Sequence, residues 1–439
     1  MLVQNPKKAA LKQPKRFAQL LKKTVKWGAL AVVAYGVLTT LFLGQSFMDE
    51  KSGVYRFHWS GVDALFNGEE FGFARNKVVP TQLDGVDGPY IFGEQQFYVS
   101  PQNELKKAAF NPNQPVTVRA ANPDRDSFQV FIKKPYLPGP DTYPLPDRLL
   151  AISDIEGNFD AFYSFLISNG VMDQHYNWTF GRGHLVLNGD MVDRGSNETQ
   201  VLWLIYHLEA EAAQHGGKVH YILGNHEIMK LYGDHSYADY KYHEVAKQIS
   251  GASRWDSAAQ FLYSPASELG QWLRAKNIAE RIGPYLFVHA GLTPKHIQAR
   301  LQLADLNQIA RNHYGTPYQK GTGSPKEKLV LGSYDSPYWD RSLSLGLLYK
   351  TVFLFNDPLN ANLHKTTQQE LEQTLAFYGA SKIVIGHSVV EDVTLDYEDK
   401  VIKIDVKHGT GKKTGRTKGL LVRQRQEFKT DDLGEPVLL

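Results

Sequence analysis

Asp154, Glu156, Asp190, Asn225, His289 and His387 are residues whose types suit a pair of hard divalent cations. Two such ions about 3.5–4 Å apart can clamp a phosphate and activate a water between them. They require carboxylate and amide oxygens and neutral imidazoles, with one carboxylate shared between them. Phosphate oxygens in turn favour planar cations, a role for which arginine is suited. Singly, each residue has an ordinary explanation. An Asp after a strand caps a helix more often than it binds an ion, and a lone His among apolar neighbours is usually a satisfied core residue.

Placement lifts them above that. Residues 149–152 (Leu-Leu-Ala-Ile) run into Ser-Asp-Ile-Glu-Gly-Asn, 184–187 (His-Leu-Val-Leu) into Asn-Gly-Asp, and 219–223 (Val-His-Tyr-Ile-Leu) into Gly-Asn-His-Glu. Residues 285–288 (Tyr-Leu-Phe-Val) precede His-Ala-Gly, and 382–385 (Lys-Ile-Val-Ile) precede Gly-His-Ser. Five apolar strands thus each deliver a metal-competent group just past the carboxyl end, where ligands gather in α/β sheets. From 148 onward, apolar strands followed by helical segments predict a layered α/β domain.

The blocks Gly189-Asp-Met-Val-Asp-Arg-Gly195 and Gly224-Asn-His-Glu227 resemble those of calcineurin-like metallophosphoesterases, in the PPP phosphatase branch. Residues 285–292 and 385–387 are similar to its later histidine blocks, and 336–341 (Ser-Pro-Tyr-Trp-Asp-Arg) resembles the second-arginine block of bacterial Shewanella-like protein phosphatases. The likeness covers roughly residues 149–406. It implies a β-sandwich flanked by helices and hydrolysis of a phosphomonoester by metal-activated water. Asp154 and Glu156 would hold one ion, Asp190 would bridge, and Asn225, His289 and His387 would complete the second. Arg194 and Arg341 would bind the phosphate together with Asn225 and His226. His226 would protonate the leaving group, and Asp193 would orient it from behind.

One departure bears on the cofactor. The family's Gly-Asp-x-His-Gly block is here Ser153-Asp-Ile-Glu-Gly157. A third carboxylate favours a harder ion, Mn²⁺ or Mg²⁺, over Fe or Zn. The leading expectation is a phosphoprotein phosphatase using two divalent ions, most suitably Mn. A nucleotide or dinucleoside polyphosphate hydrolase is the alternative enzyme, and a catalytically degenerate binding protein on the same fold is the alternative of another class.

The 439-residue chain is 42% hydrophobic, enough for a large core or two domains. It has no cysteine, which excludes disulfides and thiolate ligands and suits a bacterial envelope. Eight of the first 26 residues are basic and none is acidic, so the rest carries a net −5 against +3 overall. No nucleic-acid groove is expected on such a body. The uncharged stretch 27–48 predicts a single membrane anchor or, less favoured, a cleaved signal segment. Basic residues ahead of it predict a cytoplasmic tail at 1–26 and an exported catalytic domain, periplasmic in a Gram-negative cell. A β-rich module is expected over 49–135, a proline-rich linker over 136–147, the catalytic domain over 148–425 and a C-terminal tail over 426–439. Within the catalytic domain, 229–282 should form a helical cap whose aromatics (Trp255, Phe261, Tyr263 and Trp272) line the substrate entrance. The Gly-rich basic run 408–418 lacks P-loop spacing and reads as a flexible hairpin tip.

Overall fold

The computed structural model describes residues 13–48, 55–59, 71–75, 81–252, 255–319, 322–332, 334–346, 349–350 and 363–439. It forms two compact units, Met1–Gln82 and Leu83–Leu439. In the first, helix α1 (Gln13–Leu43) precedes an antiparallel sheet of β1 (Gln45–Met48), β2 (Tyr55–Trp59) and β3 (Phe71–Arg75). From Leu20 to Phe42, α1 is long and apolar enough to cross a membrane, with a mean hydropathy of 1.6. The apolar part of this helix therefore begins and ends earlier than the anchor expected at 27–48. Lys22, Lys23 and Lys26 continue the helix instead of preceding it. At the other end, the Gly44 amide reaches the Thr39 and Thr40 carbonyls and closes the last turn.

The second unit opens with β4 (Asp87–Phe92), β5 (Gln95–Val99), β6 (Leu105–Ala109), β7 (Val116–Arg119) and β8 (Ser127–Val130). The β-rich module expected over 49–135 thus divides at Gln82, and its later strands belong with the catalytic unit. Next come β9 (Thr142–Tyr143), β10 (Arg148–Ile152), α2 (Phe159–Ser168), β11 (His184–Asn188), α3 (Glu198–Gln214) and β12 (Lys218–Ile222). On α3, Trp203 Nε1 donates to the Pro89 carbonyl at 2.9 Å and Gln200 Nε2 to Asp87 Oδ1 at 3.0 Å, fixing β4 against the helix.

The region 229–282 carries the second half of α4 (Asn225–Tyr232), then α5 (Tyr240–Ser250), α6 (Trp255–Leu262), α7 (Glu268–Leu273) and strand β13 (Ala279–Ile282). The side chain of Trp255 lies outside the described residues. Tyr263 and Trp272 are buried in the core and line no entrance, and half-buried Phe261 stacks on Phe92. The remaining elements are β14 (Tyr285–Val288), α8 (Pro294–Gln298), α9 (Leu303–His313), α10 (Pro325–Leu331), α11 (Gln368–Phe377), β15 (Lys382–Ile385), β16 (Thr394–Asp396) and β17 (Val401–Lys403). A final meander comprises β18 (Lys418–Arg423), β19 (Gln426–Asp431) and β20 (Val437–Leu438), the last two occupying the expected C-terminal tail.

Two six-stranded sheets result, ordered β12-β11-β10-β18-β19-β20 and β16-β17-β15-β14-β13-β9. Their strand alternation explains the near-continuous apolar runs. Leu149, Ala151, Val186, Tyr285, Phe287 and Val384 face one core between the sheets. Leu150, Ile152, Leu185, Leu187, Leu286 and Val288 face the helices. The proline-rich stretch contributes β9, which pairs in parallel with β13. The basic run 408–418 is anchored: Lys412 reaches Asp124 at 2.7 Å, and Thr414 N donates to Asp432 at 2.7 Å.

Candidate active site

The loops after β10 and β11 run beside each other. Asp154 N donates to Gly189 O at 2.9 Å, Glu156 N to Asp190 O at 3.0 Å and Gly157 N to Met191 O at 2.9 Å. Asp154, Glu156, Asp190, Asp193, Arg194 and His387 all have left-handed φ, between 51° and 74°. Each such residue costs about 1–3 kcal/mol and persists only where its surroundings enforce it. Gly189 and Gly224 make the approach possible. A Cβ on Gly189 would stand 2.5 Å from His289 Nδ1, and one on Gly224 would stand 2.2 Å from Asp190 Oδ1.

Donor atoms of Asp190, His289 and His387 lie within 4.8 Å of one another, all buried. Asp190 Oδ2 is 3.1 Å from His289 Nε2. Asn225 Oδ1 is 3.2 Å from His289 Nε2, 3.2 Å from Asp190 Oδ2 and 2.9 Å from His387 Nδ1. With both imidazoles neutral, lone pairs converge here, an arrangement that a cation would satisfy. Behind the ring, His289 Nδ1 donates to Asn188 O at 2.7 Å, leaving Nε2 as the lone-pair nitrogen. Asn188 Nδ2 in turn donates to Val288 O at 3.0 Å and Val384 O at 3.2 Å, joining the two sheets at their carboxyl ends. Burial would lower the His289 pKa, but the Asp190 carboxylate and then Asp154 reverse that and raise it to about 10. Burial, with Asp190 adding to it, raises Asp154 to about 6. The carboxylates thus favour positive charge at this position.

Asp154 sits beside this group, its Oδ2 accepting from His387 N at 3.3 Å. Glu156 turns elsewhere: its carboxylate pairs with the Arg194 guanidinium. Arg341 Nη1 donates to Ser388 Oγ at 3.1 Å, and its guanidinium covers the Tyr349 ring at 4.4 Å. His226, in the first turn of α4, donates from Nδ1 to Asp193 Oδ2 at 2.6 Å and presents Nε2 3.7 Å from Asp190 Oδ2. Tyr237, 49% exposed, stands edge-on to His226 at 5.1 Å and near Arg194 at 5.9 Å.

Sequence reasoning gave no part to Asn188 or Glu227, although both stand inside the blocks it singled out. Glu227 Oε2 accepts from Asp190 N at 2.9 Å and Gly224 N at 2.8 Å, and Oε1 accepts from Met191 N at 2.7 Å and Tyr221 OH at 2.9 Å. One buried carboxylate therefore ties together the two loops that carry Asp190 and Asn225.

The family model for calcineurin-like phosphoesterase matches residues 147–391, more than half of the chain. This chain is a calcineurin-like phosphoesterase. Family membership implies divalent metal chemistry, and the convergent donor cluster fits it. The phosphoesterase is 24% identical to Shewanella-like protein phosphatase 2 of Arabidopsis thaliana over 324 residues, 64% of this chain and 76% of that protein. A cold-active protein-tyrosine phosphatase of a psychrophilic Shewanella sp. shares the fold with a TM-score of 0.67 at 27% identity, over 81% of this chain and 100% of that one. The symmetrical bis(5'-nucleosyl)-tetraphosphatase of Nitrosospira multiformis is 25% identical over 179 residues, 38% of this chain and 56% of its own length.

Proposed function

We propose that the phosphoesterase dephosphorylates phosphoproteins, with tyrosine phosphate the favoured substrate, from a membrane-anchored and exported catalytic unit. The observation that carries this is the exposed Tyr237 ring between His226 and Arg194, beside the donor cluster. An aryl phosphate would pack its ring there while its phosphoryl group faces the cluster. The Shewanella sp. neighbour, described as a protein-tyrosine phosphatase, supports that substrate class.

Asp190, Asn225, His289 and His387 would hold one divalent ion, and Asp154 with Asp190 a second, which Glu156 would join on turning from Arg194. Such ions supply Lewis-acid activation of water and neutralise charge on the phosphoryl group. Mn²⁺ suits a centre with three carboxylates. The side chains supply the rest. Arg194 and Arg341 bind the phosphoryl oxygens, for which the planar guanidinium is suited. The His226 Nε2 proton passes to the leaving oxygen, while Asp193 holds Nδ1–H and so fixes both tautomer and ring plane.

The test is a substrate panel on detergent-solubilised full-length protein loaded with Mn²⁺. Tyrosine phosphopeptides should be turned over faster than serine phosphopeptides and diadenosine tetraphosphate. Preference for the dinucleotide would give the alternative hydrolase, and no turnover of p-nitrophenyl phosphate would give the degenerate binding protein. For location, a periplasm-dependent alkaline phosphatase reporter fused after position 60 should be active; silence of that fusion would refute export.

A further inference from the structure

Behind the His226–Asp193 pair lies a buried cation that the reading above leaves unused. His226 and Lys230 are four residues apart on α4 and so share one helical face. Both grip the same carboxylate. Asp193 Oδ2 accepts from His226 Nδ1 at 2.6 Å, and Asp193 Oδ1 lies 2.6 Å from Lys230 Nζ. The ammonium is bound in turn to Glu198, at 2.8 Å from Oε2 and 3.1 Å from Oε1. All three side chains are excluded from solvent.

Glu198 is itself held at four points. Asp193 N donates to its Oε2 at 3.0 Å, Tyr263 OH to its Oε1 at 3.2 Å, and Tyr242 OH accepts from its backbone N–H at 2.8 Å, while Lys230 closes the set. Asp193 and Glu198 outweigh burial and hold the Lys230 ammonium above its ordinary pKa. Asp193 has φ +74°, a backbone strain that persists only where its surroundings enforce it, and Glu198 accepts from its N–H.

We propose that Lys230 is a positioning residue for the leaving-group step: bound to Glu198, it fixes the Asp193 carboxylate and through it the orientation of His226. This rests on the assignment of His226 as proton donor. A cation that only balanced Asp193 would need no second anchor. The Glu198 anchor gives Lys230 a fixed position, so Asp193 can neither swing away from Nδ1 nor pair with another donor. Lys230 touches no substrate atom.

A purely structural cation would affect all substrates alike, whereas a positioning residue matters most where the leaving oxygen needs a proton. The variant is Lys230→Met combined with Glu198→Gln, which removes one buried charge of each sign. Turnover of phenyl phosphate and p-nitrophenyl phosphate is compared with wild type, together with bound Mn²⁺ by elemental analysis. The expected result is unchanged metal content and KM, with kcat for phenyl phosphate down about 10–100-fold, the usual effect of losing a supporting partner. For p-nitrophenyl phosphate, whose leaving group needs little protonation, the loss should stay under about threefold. Equal losses for both esters, or loss of metal, would overturn the proposal. Lys230→Gln keeps a donor toward Asp193 without charge and serves if the double variant does not fold. The same selective loss, smaller in size, is expected there, and an even loss refutes it. Should His226→Ala show no leaving-group selectivity of its own, the assignment of His226 fails first, and the two failures are told apart.

Discussion

Replacing Glu227 with Gln should destabilise the catalytic unit and loosen its metal centre together. Burial and the Asp190 charge raise the Glu227 pKa, yet all four groups around its carboxylate are donors. Only the ionised form accepts from all of them, so the geometry assigns the charged state at neutral pH. Gln keeps one oxygen, enough for two of the four. Its amide would then face two donors. The less costly orientation places it toward Tyr221 and Met191, because the phenol can rotate and accept while only the Met191 N–H is orphaned. A buried unpaired N–H costs about 1–3 kcal/mol, and reducing charged hydrogen bonds to neutral ones costs about 1 kcal/mol each. The sum is about 3–5 kcal/mol, a large part of the ~5–15 kcal/mol that holds a domain together. Urea unfolding with chelator present measures the first effect. Calorimetric titration with Mn²⁺ measures the second, expected as about 10–100-fold weaker binding because Asp190 and Asn225 lose their common tie. A destabilisation below about 1 kcal/mol with unchanged metal affinity would refute the reasoning.

Replacing His226 with Ala should leave metal content near wild type and cut turnover by about 10²–10⁴, less for p-nitrophenyl phosphate; loss of metal would make His226 a ligand. Glu156→Gln breaks the pair with Arg194 and removes charge from the centre, so activity should fall and recover partly as Mn²⁺ is raised. Unchanged activity across the Mn²⁺ range would exclude Glu156 from the centre. Asp340 is buried and its pKa is raised to about 7 by that burial, against the bonds from Ser342. The folded state therefore holds a proton that the unfolded chain releases near pH 4, and stability from this group falls as pH rises from about 4 to 7. Asp340→Asn should flatten that decline in urea unfolding between pH 5 and pH 8, and an unaltered slope would refute the assignment.

Residues that follow strands were legible in the sequence because two periodicities coincide. An apolar run buried on both faces marks a strand, and the first polar group past its end marks the site edge. Asp190, Asn225, His289 and His387 were found that way, and the structure brings them together. What the pattern hides is side-chain direction in the loops. Glu156 is two residues from Asp154, but with both in left-handed backbone neither spacing nor residue type tells where its carboxylate points, and it meets Arg194. Glu227 and Asn188 were visible as letters, but their partners come from segments far apart in the chain. Lys230 shows the same limit. Its spacing from His226 puts both on one helical face, but only the crossing of the Asp193 loop shows that they hold one carboxylate. Where the expected module at 49–135 divides was hidden for a related reason. Alternation within β4 to β8 is local, whereas the bonds from Trp203 and Gln200 that fasten β4 to α3 are between residues over a hundred positions apart. The strained loops and the buried carboxylates therefore belong to one device. Six left-handed residues cannot persist on local preference, and the anchors formed by Glu227 and Glu198 fall on the backbone amides of Asp190 and Asp193, two of those six.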